Sequence, residues 1–211
     1  LQTEINADHE EWIQTLTGYT KSMAQRRNPD PMYVDPAAFV RKLSEKMDEN
    51  GIYVADVGQN QIWSCRNYQM RDGSFLTSGG MGTMGYSIPA AMGAKLGCPD
   101  RQAVAVCGDG SFQMSMCELA TMRQHGAAAK VVVMKNGFLG MVREYQTKTY
   151  NNRFSVVDLS GSPDLSKIAE AYGIPFIRVT NMREADEAIE RFLEKDETVL
   201  MEILVHPLDM V

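Results

Sequence analysis

The sequence predicts an α/β fold in which helices cover both faces of a doubly wound, mainly parallel sheet. Short apolar runs, which suit strands buried on both faces, alternate along the chain with segments of helical period. Glycine and asparagine follow several of these runs, as expected for loops at strand ends. The 211 residues, 44% hydrophobic and 23% charged, suit one domain with a sizeable core and an appendage.

The appendage is predicted to be residues 1–34, a linker or tail from a preceding domain, and the folded domain to be residues 35–211. The predicted strands are residues 52–57, 75–77, 103–107, 130–134, 176–179 and 198–205. The predicted helices are residues 7–25, 36–49, 87–96, 111–125, 140–148, 163–172 and 182–194.

Several helix ends carry their own sequence signals. Asp35 can cap a helix that has Pro36 at its first position. Asn181, with Glu184 three residues later, has the spacing of a capping box before the last helix. Gly126 follows the fourth helical segment, where a left-handed residue commonly ends a helix.

The segment 103–140 carries the main chemical pattern of the sequence. Two predicted strands, joined by a helical segment, end at the tripeptide 108–110 (GDG) and at Asn136. A right-handed crossover lays such strands parallel in one sheet. Because adjacent strands lie about 4.8 Å apart, Asp109 and Asn136 are expected to emerge side by side at the same carboxyl edge.

Side-chain oxygens at this edge, with a loop carbonyl, can share one small hard cation. Mg²⁺ takes octahedral oxygen ligands at about 2.1 Å and usually completes its shell with phosphates and water. The amides of Gly110 and Ser111, near the start of the following helix, offer phosphate a second partner. Glycine also lets the backbone approach a bulky anion. The segment therefore predicts a site for Mg²⁺ and a diphosphate.

The bulk properties argue against several other partners. The net charge of −6 gives no support to binding of nucleic acid or of anionic membranes. No apolar run approaches the roughly 18 residues of a membrane span, and the polar first residues resemble neither a signal nor a transit peptide. The four cysteines lack C-x-x-C pairing and zinc spacing, so we expect reduced thiols in a cytoplasmic protein.

A second motif points to another ligand. Residues 80–85 match G-x-G-x-x-G, follow a short predicted strand and precede a helix, which is the context of a dinucleotide fingerprint. Asp109 lies at the end of the next strand, where an acid would bind a ribose. A nicotinamide-binding oxidoreductase domain and a non-catalytic phosphate-ligand or assembly module therefore remain as alternatives.

The sequence also resembles a known family. The GDG tripeptide, followed 26 positions after Gly110 by Asn136, resembles the thiamine diphosphate motif, which is GDG with a later NN or N. Residues 35–211 are similar to the carboxyl-terminal third of acetohydroxyacid synthase (acetolactate synthase), in the segments VGQNQIW, SGGMGTMGYSIPAAMGAKLG, GDGSFQM, NGFLGMVR and YNNRFS. The resemblance implies the thiamine diphosphate-binding fold.

The resemblance also implies a set of site residues. The metal ligands would be Asp109, Asn136 and the carbonyl of Phe138. The carbonyl of Gly82 and the amide of Met84 would hold the aminopyrimidine ring, and the Met84 side chain would support the bent cofactor. The full set of implied cofactor-binding residues is Gly58, Gln59, Asn60, Gly82, Met84, Gly108, Asp109, Gly110, Ser111, Asn136, Phe138, Gly140 and Met141.

Three positions depart from the family pattern. Lys135 replaces the first Asn of the common NN pair, a minor departure because Asn136 holds the ligand position. Asn60 stands where the family usually has the histidine of GQH, which alters a donor near the diphosphate. Tyr145 stands where the family usually has the tryptophan that shapes the pocket for the second 2-oxo acid. The last two departures leave room for another thiamine-dependent decarboxylase, carboligase or hydrolase.

The activity that the resemblance implies is a transferase reaction of branched-chain amino acid biosynthesis, in which pyruvate is decarboxylated and condensed to acetolactate. The implied partners are pyruvate, a second copy of the chain in a homodimer or tetramer, and a regulatory subunit. FAD would be bound in the full-length enzyme only. The family's catalytic glutamate belongs to its amino-terminal domain, so no catalytic residue is expected in these 211 residues, and the chain alone is expected to be inactive.

Overall fold

The computed structural model describes residues 9–24 and 30–211 and contains one parallel sheet within those ranges. The strand order is β2-β1-β3-β4-β6-β5. The strands are β1 (Ile52–Ala55), β2 (Ser74–Thr77), β3 (Ala103–Gly108), β4 (Lys130–Lys135), β5 (Phe176–Val179) and β6 (Leu200–Leu204). The predicted α/β class is confirmed, and every strand pair is parallel.

Helices alternate with these strands along the chain. They are α1 (Glu10–Ala24), α2 (Pro36–Lys46), α3 (Gln59–Asn67), α4 (Ser87–Gly97), α5 (Asp109–Ser115), α6 (Glu118–His125), α7 (Gly140–Tyr150), α8 (Leu165–Tyr172) and α9 (Ala185–Glu194). The helix predicted for residues 7–25 corresponds to α1, although its predicted ends lie outside the described residues. No helix in the described ranges has both the length and the apolar character that crossing a membrane requires.

The cap predicted at the start of α2 is confirmed. The Asp35 side chain accepts a hydrogen bond from the amide of Ala37 at 3.0 Å, with Pro36 at the first helical position. The predicted end of α8 is also confirmed: Gly173, in the left-handed conformation with φ of 63°, follows its last residue.

Three expectations about the helices were wrong in detail. The segment after β1 was expected to be a loop, but α3 begins there, directly after Gly58. The single helix predicted for residues 111–125 is α5 and α6, because Leu119 and Ala120 donate to the carbonyls three residues earlier and tighten the chain between them. The last helix begins at Ala185. The side chain of Asn181 accepts from the amide of Arg183 and that of Glu184 from the amide of Thr180, so both stabilise a turn before α9 instead of capping it.

The core lies on both faces of the sheet. On one face, buried side chains of α2, α3 and α9 pack against the strands, among them Phe39, Trp63 and Phe192. On the other face, α4, α5, α6 and α8 contribute side chains such as Phe112 and Leu165. Strands covered on both faces must be apolar throughout, which explains their continuous hydrophobic runs.

The topology brings polar loops together at the carboxyl ends of the central strands. Because β3 and β4 are adjacent and parallel, with Gly108 opposite Met134, the residues that follow each strand emerge side by side. Strand β2 pairs with one edge of β1, and β3, the next strand along the chain, pairs with the other edge. Open α/β sheets bind ligands in the crevice at such a reversal of strand order.

Lys130 is a buried cation at the start of β4 and makes the stability of the fold depend on pH. Its Nζ donates to the carbonyls of Lys195 and Glu197, and burial lowers its pKa to about 8. In the unfolded chain a lysine has a pKa of about 10.4. Between these values the unfolded state binds more protons, so the free energy of unfolding contributed by this group rises with pH.

We therefore expect the unfolding free energy of the wild type, relative to Lys130→Met, to increase from about pH 7 to about pH 10. Urea denaturation of both proteins at several pH values measures the difference. Lys167→Met, which removes an exposed lysine of α8, is the control for loss of one positive charge. The same slope for both variants would show that the burial of Lys130 has no linkage to folding.

Candidate functional site

A cavity of about 270 Å³ lies at the carboxyl ends of β1, β3 and β4. Every residue predicted to bind the cofactor or metal lines it, namely Gly58, Gln59, Asn60, Gly82, Met84, Gly108, Asp109, Gly110, Ser111, Asn136, Phe138, Gly140 and Met141. Tyr145 does not line the cavity, and 57% of its surface is exposed on α7. The structure thus brings together four separate segments of the chain and leaves the predicted substrate residue outside.

Asp109 follows β3 and opens α5, where its carboxylate links two loops. Oδ2 accepts a hydrogen bond from the amide of Gly137 at 2.8 Å, and Oδ1 accepts one from the amide of Gly110 at 3.0 Å. Burial raises the pKa of Asp109 to about 6. The side chain is therefore mainly ionised at neutral pH, and it carries a full negative charge in a poorly solvated site.

Asn136 follows β4 and has a fixed carboxamide orientation. Its Oδ1 accepts from the amide of Phe138 at 3.0 Å, and its Nδ2 donates to Oε1 of Gln59 at 3.2 Å. The loop that carries it is held by an antiparallel pairing, in which Leu139 donates to the carbonyl of Val157 and Leu159 donates to that of Gly137. The loop that carries Asn136 is therefore supported by a segment outside the sheet.

Gly110 lies where the side chains of Leu139, Leu159 and Met84 approach the backbone closely. A Cβ at this position would be 2.6 Å from Cδ2 of Leu139 and 3.3 Å from Cε of Met84. No residue larger than glycine fits at position 110 without moving Leu139. The next side chain, that of Ser111, donates to the carbonyl of Val57 at 3.2 Å and joins the start of α5 to the end of β1.

The side-chain donors of Gln59 and Asn60, which the sequence assigned to the diphosphate, have protein acceptors. The Nδ2 of Asn60 donates to the carbonyls of Asp56 and Val106, at 2.8 and 3.1 Å. The Nε2 of Gln59 donates to Oε2 of Glu144 at 3.2 Å and to the carbonyl of Asp209 at 2.8 Å. Both residues line the cavity, but their amide hydrogens hold together its walls. Direct contact between these residues and the cofactor stays a prediction.

Asp56 supports the site from behind and was missed by the sequence reasoning. Its fully buried carboxylate accepts hydrogen bonds from the amides of Val57, Gly85 and Ser87, at 2.8, 3.0 and 2.7 Å. It therefore fixes the end of the glycine loop that carries Met84. An acid near the end of an apolar run was the available signal, because a buried carboxylate must have donors.

The same contacts argue against a dinucleotide at residues 80–85. In a dinucleotide fold the pyrophosphate lies at the start of the helix after the glycine loop. Here the amides of Gly85 and Ser87, at the start of α4, already donate to the carboxylate of Asp56. An intramolecular anion therefore occupies the position that the pyrophosphate would take.

Further residues that sequence reasoning missed line the apolar part of the cavity. They are Val57, Trp63, Met134, Leu139 and Val142. Each lies within a few residues of a predicted site residue, but an apolar side chain carries no chemical signal in a single sequence. Their role follows only from the folded position of the chain.

The donor set at this edge fits a magnesium ion and a diphosphate. One carboxylate and one carboxamide oxygen, from Asp109 and Asn136, are hard oxygen ligands of the type that Mg²⁺ prefers. The described residues contain no group of three or more His, Cys, Asp or Glu side chains arranged to hold a metal. A cation held by one carboxylate keeps a net positive charge, which an anionic cofactor can neutralise.

Fold and site together define a protein that binds a diphosphate-bearing cofactor through a divalent cation at the switch point of a parallel sheet. The sequence matches the family described as thiamine pyrophosphate enzyme, C-terminal TPP binding domain, over residues 56–203. The chain belongs to this family, and its cofactor is thiamine diphosphate, normally bound with Mg²⁺. The predicted family resemblance and cofactor are thereby confirmed.

The chain is also similar to individual enzymes over nearly its whole length. It is 35% identical to the acetolactate synthase large subunit of Lactococcus lactis, over 99% of this chain and 37% of that protein. It is 37% identical to the acetolactate synthase large subunit of Corynebacterium glutamicum, over 94% of this chain and 33% of that protein. The chain therefore spans about a third of the length of these relatives.

We expect Asp56→Asn to destabilise the protein by about 1–3 kcal/mol, because it places an NH₂ group or a weaker acceptor against buried backbone donors. Urea denaturation measures the loss, and hydrogen exchange at Gly85 and Ser87 locates it. Asp158→Asn is the matched control, because that side chain accepts from the amide of Ser160 in an exposed turn. Unchanged exchange at both amides would mean that Asp56 does not hold the loop.

Proposed function

We propose that the chain is the cofactor-binding domain of a thiamine diphosphate-dependent 2-oxo acid carboligase of the acetolactate synthase type. The observation that carries the proposal is the junction of two loops at one sheet edge, where the Asp109 carboxylate accepts the amide of Gly137 beside Asn136. Similarity to acetolactate synthase large subunits over nearly the whole chain supports the reaction type.

In this proposal the metal is held by the Asp109 carboxylate, the Asn136 carboxamide oxygen and the carbonyl of Phe138. The amides of Gly110 and Ser111, in the first turn of α5, are assigned to the diphosphate, and the Gly110 amide must exchange its bond to Asp109 Oδ1 for one to the phosphate. The other lining glycines, Gly58, Gly108 and Gly140, give the cofactor close access to the backbone.

The ring end of the cofactor is assigned to the loop that Asp56 fixes. The carbonyl of Gly82 accepts from the exocyclic amino group, the amide of Met84 donates to a ring nitrogen, and the Met84 side chain supports the bent form. Gly82, with φ of 63°, gives the loop a turn that other residues rarely adopt. When bound, the cofactor supplies the electron sink for decarboxylation and carboligation, while the chain supplies position and electrostatics.

The substrates proposed are pyruvate and a second 2-oxo acid, and the partners are a second copy of the chain and a regulatory subunit. Tyr145 is assigned to the acceptor side, where the relatives' other domains would complete the pocket.

We further propose that residues 35–211 are the cofactor-binding domain and residues 1–34 a linker. Four free cysteines support a cytoplasmic location.

Titration of the 211-residue chain with thiamine diphosphate, followed by calorimetry, tests the cofactor site. We expect binding with Mg²⁺ and loss of binding when EDTA removes the metal, because the diphosphate is anchored through the cation. Asp109→Ala should abolish the metal-dependent binding, whereas Asp100→Ala, at an exposed aspartate before β3, should leave it unchanged.

NAD serves as the competing ligand in the same titration. Binding of NAD that is indifferent to metal, or binding of thiamine diphosphate that survives both EDTA and Asp109→Ala, would contradict the assigned site.

The chain alone is expected to produce no acetolactate from pyruvate when thiamine diphosphate and Mg²⁺ are saturating. The reason is that 211 residues span only about a third of the related enzymes, and the proposed catalytic glutamate lies in another domain. A colorimetric acetoin assay after acid treatment measures the product. Turnover by the purified chain, absent from Asp109→Ala, would show that a catalytic group lies within these residues.

A further inference from the structure

Gln59 links the proposed metal ligand to the end of the chain. Its Oε1 accepts a hydrogen bond from Nδ2 of Asn136 at 3.2 Å. Its Nε2 donates to Oε2 of Glu144 at 3.2 Å and to the carbonyl of Asp209 at 2.8 Å. Both amide hydrogens and the carbonyl oxygen of this buried side chain thus have protein partners.

The bond from Asn136 to Gln59 and the bond from the Phe138 amide together fix which end of the Asn136 carboxamide is the oxygen. The NH₂ group of a carboxamide only donates hydrogen bonds, and its oxygen only accepts them. Because Gln59 presents an oxygen, it accepts the NH₂ group of Asn136 and leaves Oδ1 on the side of the Phe138 amide. Only the oxygen can bind a hard cation. Without Gln59 only the amide of Phe138, at 3.0 Å from Oδ1, holds the Asn136 carboxamide in this orientation.

Only glycine fits at position 140, because the Gln59 side chain fills the space that a Cβ would take. A Cβ at position 140 would collide with Oε1 of Gln59 and lie 2.7 Å from its Cδ. It would also lie 2.9 Å from Nδ2 of Asn136. The backbone at position 140 has no positive φ, so in this structure it is the packing around the Gln59–Asn136 bond that leaves no room for a Cβ.

Glu144 and the last residues of the chain hold Gln59 from the other side. The buried carboxylate of Glu144 accepts from both Gln59 and the amide of Val211, the latter at 3.1 Å. Arg143 donates to the carbonyl of Pro207 at 2.6 Å, and its guanidinium lies 4.2 Å from the ring centre of Phe138. Residues 207–211 are therefore fastened to α7 and to Gln59 by backbone groups.

We propose that Gln59 is a positioning residue that sets the carboxamide of Asn136 for metal binding, and that Glu144 with residues 207–211 holds Gln59 in place. This inference rests on the proposed metal role of Asn136. It differs from the sequence-based expectation, in which Gln59 itself contacts the diphosphate.

The two roles of Gln59 predict opposite effects when its outer partners are removed. Deletion of residues 208–211, which removes the Asp209 carbonyl, and the change Glu144→Ala each leave Gln59 in the chain but free one of its two amide hydrogens. If Gln59 positions Asn136, affinity for Mg²⁺–thiamine diphosphate falls about tenfold, as is typical for loss of a partner that orients a metal ligand. If Gln59 donates to the diphosphate directly, affinity stays the same or rises.

The experiment uses the 211-residue chain with two readouts. The first is the side-chain NH₂ resonances of Asn136 and Gln59 in ¹⁵N spectra without cofactor, and the second is calorimetric affinity for thiamine diphosphate with Mg²⁺. Glu144→Ala and the deletion are expected to shift both pairs of resonances, and Glu144→Gln, which keeps one acceptor oxygen, to shift them less. Gly140→Ala should displace Gln59, while Gly93→Ala, where a Cβ meets nothing within 4 Å, is the matched control in a helix.

Each outcome decides a different statement. Shifted Asn136 resonances together with weakened binding support the positioning role. Shifted resonances with unchanged or tighter binding would overturn it, as would Asn136 resonances that respond to none of the variants. If the wild-type chain binds no thiamine diphosphate in the presence of Mg²⁺, the proposed function fails. The resonances then still decide whether Glu144 and the last residues hold Asn136 through Gln59.

Discussion

The site depends on one hydrogen bond between two loops, from the amide of Gly137 to the carboxylate of Asp109 at 2.8 Å. The two loops follow adjacent parallel strands, so the sheet brings them together before any cofactor binds. The bond makes an acid that β3 delivers part of the same structure as the carboxamide that β4 delivers. A preformed pair of oxygen ligands loses little conformational freedom when a cation binds, since the chain has already lost that freedom in folding.

Backbone amides, rather than charged side chains, support the buried acids of this edge. Asp56 accepts three backbone N–H groups and Asp109 accepts two. Dipoles that are fixed by secondary structure stabilise a carboxylate without adding a cation that would compete for the diphosphate. The same arrangement divides the work between the acids. The carboxylate of Asp56 accepts only backbone amides and holds the glycine loop that carries Met84. Asp109 instead lies in the cavity wall, next to the proposed metal position.

The predicted site residues lie together in the structure, and two of their side chains have partners that the sequence did not indicate. The apolar runs and the glycine loops gave the strands and their exits, so all the predicted lining residues meet in one cavity. The family resemblance placed Gln59 near the diphosphate and made Asn60 an altered donor there, and in the structure their amide hydrogens bind Glu144 and backbone carbonyls. A motif specifies the residue at a position, but the partner of an amide hydrogen depends on which neighbours fold against it.

The sequence by itself determined the parallel α/β sheet, the two loops at its carboxyl edge and the chemical type of the cofactor site. It could do so because hydrophobic period, glycine and short motifs act locally along the chain. The tertiary structure alone decided the hydrogen-bond partners of Asp56 and Glu144 and the contact of Asp209 with Gln59. Those contacts join residues far apart in sequence, and a buried polar group acquires its function from the partners that burial gives it.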